Sequence, residues 1–354
     1  MTFHCLTEWC ALLSAHPLPK SQPGGVRAET SEIISVARDV LKRPLLQSIS
    51  SDAMGCAFEV LLNERQYPLG VQAATESLKQ INHLESLLSV YKPQSQLSKV
   101  NRFASERPVL VDASTFQMVQ LALDIHQMTG GAYDITAGSL SEAWGFARRQ
   151  GSMPTQDQID AARNLVGSEL IRLDCQACTI SLTRHGVQLN PGGIGKGFAL
   201  DTAARLLVDS GVRDFMIHGG LSSIIACGRR STFGESGWRV ALKHPWRSEE
   251  TLETICLSNQ ALATSGSGKQ FFHFKGKRYS HLIDPRTGWP ADQMMSATVI
   301  CPSGGVADAL ATGLFILGPQ KAVQFCEAHP EISAILVFLD PKSGSQRIER
   351  CNWQ

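Results

Sequence analysis

The spacing of apolar positions changes several times along the chain, and each change marks an element. From Met54 the stretch MGCAFEVLLN alternates apolar and polar residues and predicts a strand. Residues 71–90, VQAATESLKQINHLESLLSV, place apolar side chains three and four apart and predict an amphipathic helix. SVYKPQSQLSKVNR follows as a polar loop and short helix start, and residues 113–128 form a second amphipathic helix ending at Gly130-Gly131. AYDITAGSLSEAWGF fits neither period and reads as a loop, whereas VGSELIRLDCQACTISLT alternates on both sides of a turn and predicts a hairpin. VQLNPGGIGKGFALDTAARLLVDSG reads as strand, glycine loop and helix, and DFMIHGGLSSIIACG and GWRVALKHP as further strands. LSNQALATSGSGKQFFHFKGKRYSHLIDP suggests strands around a Gly/Ser loop. The last quarter gives a strand (SATVICPS), helices (VADALATGLFILGPQKAVQFCEAH) and a strand (SAILVFLD).

Strands arrive in groups with helices between the groups, which favours an α+β fold over a doubly wound parallel sheet. The expected organisation is one large mixed domain over residues 51–345 behind an extension, 1–50, that holds a Pro/Gly segment and a helix, TSEIISVARDVLKR. No repeat of fixed period is present.

Composition narrows the function. The chain has 354 residues, 43% apolar and 18% charged, the profile of a globular protein with room for a sizeable core. A net charge of +1 without a basic block argues against an electrostatic nucleic-acid binder. No apolar run is long enough for a transmembrane segment. The start, MTFHCLTEWCALLSAHPLPK, lacks a basic stretch before its short apolar run, so a cytoplasmic location is expected. Ten cysteines in such a length do not make a disulfide scaffold, and the one close pair, Cys175 and Cys178, falls at the predicted hairpin turn.

Several segments combine turn residues with chemistry. In NPGGIGKGFALD, residues 190–201, glycines stand between a strand and a helix start, where backbone amides meet an anion and Lys196 adds a charge; a tight turn alone explains the same glycines. Asp308 and Thr312 in VADALATGLF lie four apart on a helix, one face offering two hard oxygen ligands for Mg²⁺, or else a dipole-favoured acid and a back-bonding threonine. Asp134 in GGAYDITAGSL is a loop acid for a polar ligand or an Asx turn. LATSGSGKQFF and HGGLSS are small-residue loops that wrap a ligand or merely connect strands. YSHLIDPRTGWPA, residues 279–291, sets His281 and Asp284 among turn prolines and a glycine.

In order, MGCAFEV, LSVYKPQSQLSKVN, GGAYDITAGSLSEAWGF, NPGGIGKGFALD, IHGG, ATSGSG, YSHLIDPRTGWP and DALATGLFILG resemble the ApbE family of FAD:protein FMN transferases over roughly residues 50–340. The resemblance implies a mixed α+β fold. It also implies an enzyme that binds FAD with Mg²⁺ and moves its FMN half to a Ser or Thr of a flavin-accepting protein, releasing AMP; some members instead hydrolyse FAD to FMN and AMP. Asp308, Thr312 and the Gly193 carbonyl match the family's metal ligands. Met54, Tyr91, Ala132, Tyr133, Asp134, Asn190, Lys196 and Ile283 match positions lining its FAD site. His281 matches a base, a phosphate-orienting group or a turn residue bonding a carbonyl. The chain departs from the pattern at Asn190, where Asp is usual, and at Pro191, Leu221-Ser222-Ser223, His244 and Ala311. Those departures leave a flavin-binding protein of weak turnover as a third reading.

Overall fold

Alternation in CAFEVLLN builds strand β2 (Cys56–Asn63), whose Phe58, Val60 and Leu62 enter the core. It pairs with β1 (Leu46–Ala53) through a two-residue turn, Met54-Gly55, both at positive φ (49° and 75°). Two such residues match the right-handed twist of the flanking strands. The computed structural model describes residues 46–148, 150–230, 236–268 and 270–353. The helix predicted in TSEIISVARDVLKR lies outside them.

β1 and β2 form one edge of an eight-stranded sheet. Its order continues through β6 (Phe215–Gly219), β7 (Ser223–Cys227), β10 (Gln260–Gly266), β13 (Ser296–Cys301), β14 (Ser333–Leu339) and β15 (Gln346–Cys351), every neighbour antiparallel. The sheet therefore extends past both limits expected for the domain, 51 and 345. Helices α1 (Gly70–Leu88), α6 (Gly195–Asp209) and α7 (Gly304–Leu317) belong to the core on one face, together with Ile217, Ala263 and Val299. The opposite face, carrying Ile224, Leu262, Ile300 and Ile335, is covered by the hairpin β8 (Trp238–Lys243) and β9 (Thr251–Leu257). Two buried faces explain why the central strands read as continuous apolar runs. A small sheet, β3 (Val109–Leu110), β5 (Thr179–Leu182) and β4 (Ile171–Asp174), and the hairpin β11 (Phe271–Phe274) and β12 (Lys277–Ser280) complete the strands. Among the described residues no helix is long and apolar enough to cross a membrane.

The expected α+β class is what the pairing shows, with two local differences. The expected loop AYDITAGSLSEAWGF contains a short helix, α4 (Gly138–Ala143), too brief for its period to show in sequence. The strand expected at VQL makes a single bridge, Gln188 with Ala137, because the Asn101 side chain takes both the Leu189 N–H (2.8 Å) and its carbonyl (3.0 Å). Asn101 lies on α2 (Gln96–Phe103), which follows α1. Cys175 and Cys178 sit in the β4–β5 turn as free thiols.

Helices α6 and α7 cross with backbones touching. A Cβ on Gly197 would stand 2.0 Å from the Gly304 carbonyl oxygen and 2.8 Å from Asp308 Cβ. No relaxation of a side-chain tip relieves contact with a carbonyl. Gly197→Ala is therefore expected to destabilise the protein by about 1–3 kcal/mol or more, read as a lower denaturant midpoint. An unchanged midpoint would show that the helices can separate freely.

Candidate active site

Each of the crossing helices lends an acid to the start of the other. α6 begins after Ile194, which has no side chain to cap it; instead Asp308 Oδ2 accepts from the Gly197 N–H at 3.1 Å. In return Asp201, on α6, accepts from the Gly304 and Gly305 N–H groups (2.6 and 2.9 Å) and from Ser303 Oγ (2.8 Å) at the start of α7. Burial pushes the Asp201 carboxyl up to about 6, and those two amides, the hydroxyl and the Arg205 charge pull against it. Orphan helix amides, which always need a partner, thus find one across the crossing.

The same arrangement gathers functional groups where the two helices begin. Lys196 Nζ lies 3.6 Å from Asp308 Oδ2, while Ser223 Oγ donates to Asp308 Oδ1 at 3.3 Å. One turn on, Thr312 Oγ1 shares a hydrogen bond of 2.9 Å with Ser265 Oγ. Gly193 brings its backbone against that hydroxyl: a Cβ there would be 3.0 Å from Thr312 Oγ1 and 3.2 Å from Tyr133 Cε2. Gly193 thus joins Thr312, which shares a helix face with Asp308 one turn before it. Their carboxylate, hydroxyl and carbonyl oxygens are hard donors suited to Mg²⁺. Among the described residues no three His, Cys, Asp or Glu side chains cluster, so a cation here would need neutral oxygens and water to complete its shell. Beside them, Tyr133 Oη is buried with no hydrogen-bond partner. An unpaired buried hydroxyl costs about 1–3 kcal/mol, and the orphan also fits a site completed by a bound group.

His281 lies within reach of the Lys196 charge. Its backbone N–H and its Nδ1 both meet the Gln270 carbonyl, at 3.1 and 3.2 Å. A carbonyl only accepts, so Nδ1 carries the proton and Nε2 keeps its lone pair. Burial holds this imidazole below its ordinary value of 6.5, the Gln270 bond opposes the shift, and the Lys196 charge adds to it. The turn beyond is fixed by Asp284, which accepts from the Arg286 backbone N–H (2.9 Å) and from its Nε and Nη2 (both 2.8 Å). Trp144 Nε1 donates to the Gly288 carbonyl at 2.9 Å. Trp144, Phe272 and Tyr279 stack beneath with centroids 5.5–6.2 Å apart.

Other residues matched in sequence have different surroundings. Asp134, read in sequence as an acid for a polar ligand or an Asx turn, makes the turn: its oxygens meet Thr136 N and Oγ1, Ser168 N and Oγ, and His126 Nδ1. These bonds organise the loop. Ile283 is buried in the cluster with Leu140, Trp144 and Ile159, so its backbone is what it can present. Asn190 Oδ1 accepts from Gly192 N at 2.9 Å and shapes the glycine turn. Ala132 is fully buried, Met54 stands in the strained β1–β2 turn, and Tyr91 is 74% exposed on the loop between α1 and α2. Ala311 faces the core. Asp201, Ser265 and His126 carry no role in the sequence reading, and Ser223 appears there only as a departure from the family pattern. The two serines lay in small-residue loops already noted, but nothing local marks His126.

An antiparallel sheet layered with helices, bearing a carboxylate, an amine, hydroxyls and an imidazole where two helices begin, defines an α+β protein of the enzyme class. The chain belongs to the ApbE family, whose profile matches residues 54–336. It is similar to an FAD:protein FMN transferase of Salmonella typhimurium, 32% identical over 309 residues that cover 85% of this chain and 86% of the relative. A protein of the same description from Escherichia coli is 34% identical over 274 residues, 75% of each chain. Among solved structures, the flavin transferase ApbE from Vibrio cholerae superposes with a TM-score of 0.76 at 27% identity, covering 87% of this chain and 97% of that one.

The His126–Asp134 pair gives a pH signature. Hydrogen bonding to Asp134 raises His126 against the opposing effect of burial. Burial alone would raise Asp134, but bonds from His126 and Thr136 outweigh it and leave the acid lowered. The histidine's contribution to stability is complete below its unfolded value and fades as pH rises through the raised folded one. The acid's contribution is complete above its unfolded value and fades as pH falls through the lowered one. His126→Ala is expected to cost about 1–2 kcal/mol near pH 5 and less above neutrality, measured by thermal melts across pH. A loss that does not vary with pH would contradict the pairing.

Proposed function

We propose that this chain transfers the FMN half of FAD to a Ser or Thr hydroxyl of an acceptor protein with release of AMP. The observation that carries this reading is the convergence of Asp308, Thr312 and Gly193 at the α6–α7 crossing, with Lys196 beside them. It is supported by the family and by the activity named for the relatives.

The chemistry divides among the chain's own groups. FAD is the substrate, and its pyrophosphate is drawn toward the start of α6, where the positive dipole end and Lys196 favour an anion. Lys196 adds a point charge near the Asp308 carboxylate. Asp308, Thr312 and the Gly193 carbonyl would hold a Mg²⁺, which would supply charge neutralisation to the pyrophosphate. His281 Nε2, neutral near pH 7, takes the proton of the incoming hydroxyl as its oxygen bonds the FMN phosphorus. The bond from that phosphorus to the bridging oxygen breaks, and AMP departs with the electron pair. Met54, held at φ 49°, where a methionine is strained, supplies soft contact to the flat flavin rings.

Incubation with FAD, Mg²⁺ and a threonine peptide is expected to give covalent flavin on the peptide with an equal amount of AMP, read by mass spectrometry and chromatography. FMN released equally without peptide would make water the acceptor, and tight FAD binding without AMP would leave only a binding protein.

For Asp308→Ala, AMP release at fixed Mg²⁺ is expected to fall by about a hundredfold or more; full activity would remove Asp308 from the site. The acidic limb of the pH–rate profile is expected below 6.5, the side to which His281 is shifted, because the base must be deprotonated. His281→Ala is expected to lose that limb along with most of the rate, and an unaltered profile would exclude the role.

A further inference from the structure

Tyr133 sits in the candidate site, yet the steps above leave its hydroxyl unused. The ring is fixed from behind. Its backbone N–H donates to Thr129 Oγ1 at 3.1 Å, and its carbonyl accepts from His126 Nδ1 at 3.2 Å. Its Cβ packs on α7 at Gly313, 3.5 Å from where a Cβ there would stand, and its Cε2 edge reaches Gly193, beside the Thr312 hydroxyl. The residue is 3% exposed, and Oη has no hydrogen-bond partner. The ring thus runs from Gly313 past Thr312 and Gly193, and its hydroxyl end comes under the Asp308 charge without bonding to it.

A phenylalanine would fill the same apolar slot without the cost of an unpaired hydroxyl. The ring edge lies close against the glycine loop, 3.2 Å from where a Cβ on Gly193 would stand, and the whole side chain is buried. We propose that Tyr133 Oη is a donor reserved for a bound oxygen, either a water carried by the cation at Asp308 and Thr312 or an oxygen of the FAD pyrophosphate. This rests on the reading of the site above. Tyr133 thereby acts on the ligand itself and does not stabilise the ligand-free fold.

Tyr133→Phe removes only the hydroxyl. In the ligand-free protein the melting temperature is expected to stay level or rise, since an unsatisfied polar atom is lost. Two binding titrations separate the sources of the oxygen: Mn²⁺ alone, followed by electron paramagnetic resonance, and FAD in the presence of a chelator, followed by flavin fluorescence. Loss of one hydrogen bond is expected to weaken binding about five- to tenfold. A loss in the Mn²⁺ arm assigns the donor to a metal-bound water, and a loss in the FAD arm assigns it to the pyrophosphate. If both affinities match the wild type, the proposal is overturned. It is overturned equally if the ligand-free variant melts markedly lower, because the hydroxyl would then have a protein partner. Wild-type protein that binds neither Mn²⁺ nor FAD would defeat the functional reading itself, a result distinct from a variant that binds both normally.

Discussion

Backbone contact between Gly197 and Gly304 is the constraint on which the site depends. Only glycine lets α6 and α7 approach so closely, and only at that distance can each helix reach the other's unpaired amides with an acid. The contact converts a structural need, the capping of two helix starts, into a functional one. Asp308 is aimed by the Gly197 amide, and Thr312 follows one turn later on a helix anchored by Asp201. Each acid is compensated by the helix start that it caps, and Lys196 adds a positive charge beside Asp308.

Around this crossing the fold supplies walls of different stiffness. The HLIDPRTGW turn is locked by the Asp284–Arg286 fork, by the Trp144 bond to Gly288 and by stacked aromatic rings, so His281 is carried on a rigid support. The Met54-Gly55 turn at the end of β1 and β2 stores local strain and carries an unusually soft side chain. Tyr91 is exposed on its loop. A rigid centre for the reacting phosphate with adaptable contacts at the edge suits a substrate made of two different halves.

Much of this could be read in the sequence wherever the information is local. The strand at Cys56–Asn63 and the helices at Gly70–Leu88 and Ala113–Met128 keep their apolar period intact because each buries one face. Spacing put Asp308 and Thr312 on one helix face, and only the family resemblance pointed that face to a metal. What escaped reading depends on distant partners. Asp201 looks like an ordinary helical acid until Gly304, 103 residues later, is placed against it. The apparent strand at VQL is pre-empted by Asn101, 88 residues earlier. Asp134 showed its loop but not its direction, since His126 and Ser168, which turn it inward, belong to other segments. The order of the sheet, which sets β2 beside β6, is likewise fixed by burial across the whole domain.

The most direct measurement of the central claim is diffraction from crystals grown with Mn²⁺ and FAD, recorded at the manganese absorption edge. The account predicts one anomalous peak within coordination distance of Asp308, Thr312 Oγ1 and the Gly193 carbonyl, next to the pyrophosphate. A peak at another set of residues, or FAD seated with its pyrophosphate away from the α6–α7 crossing, would contradict it.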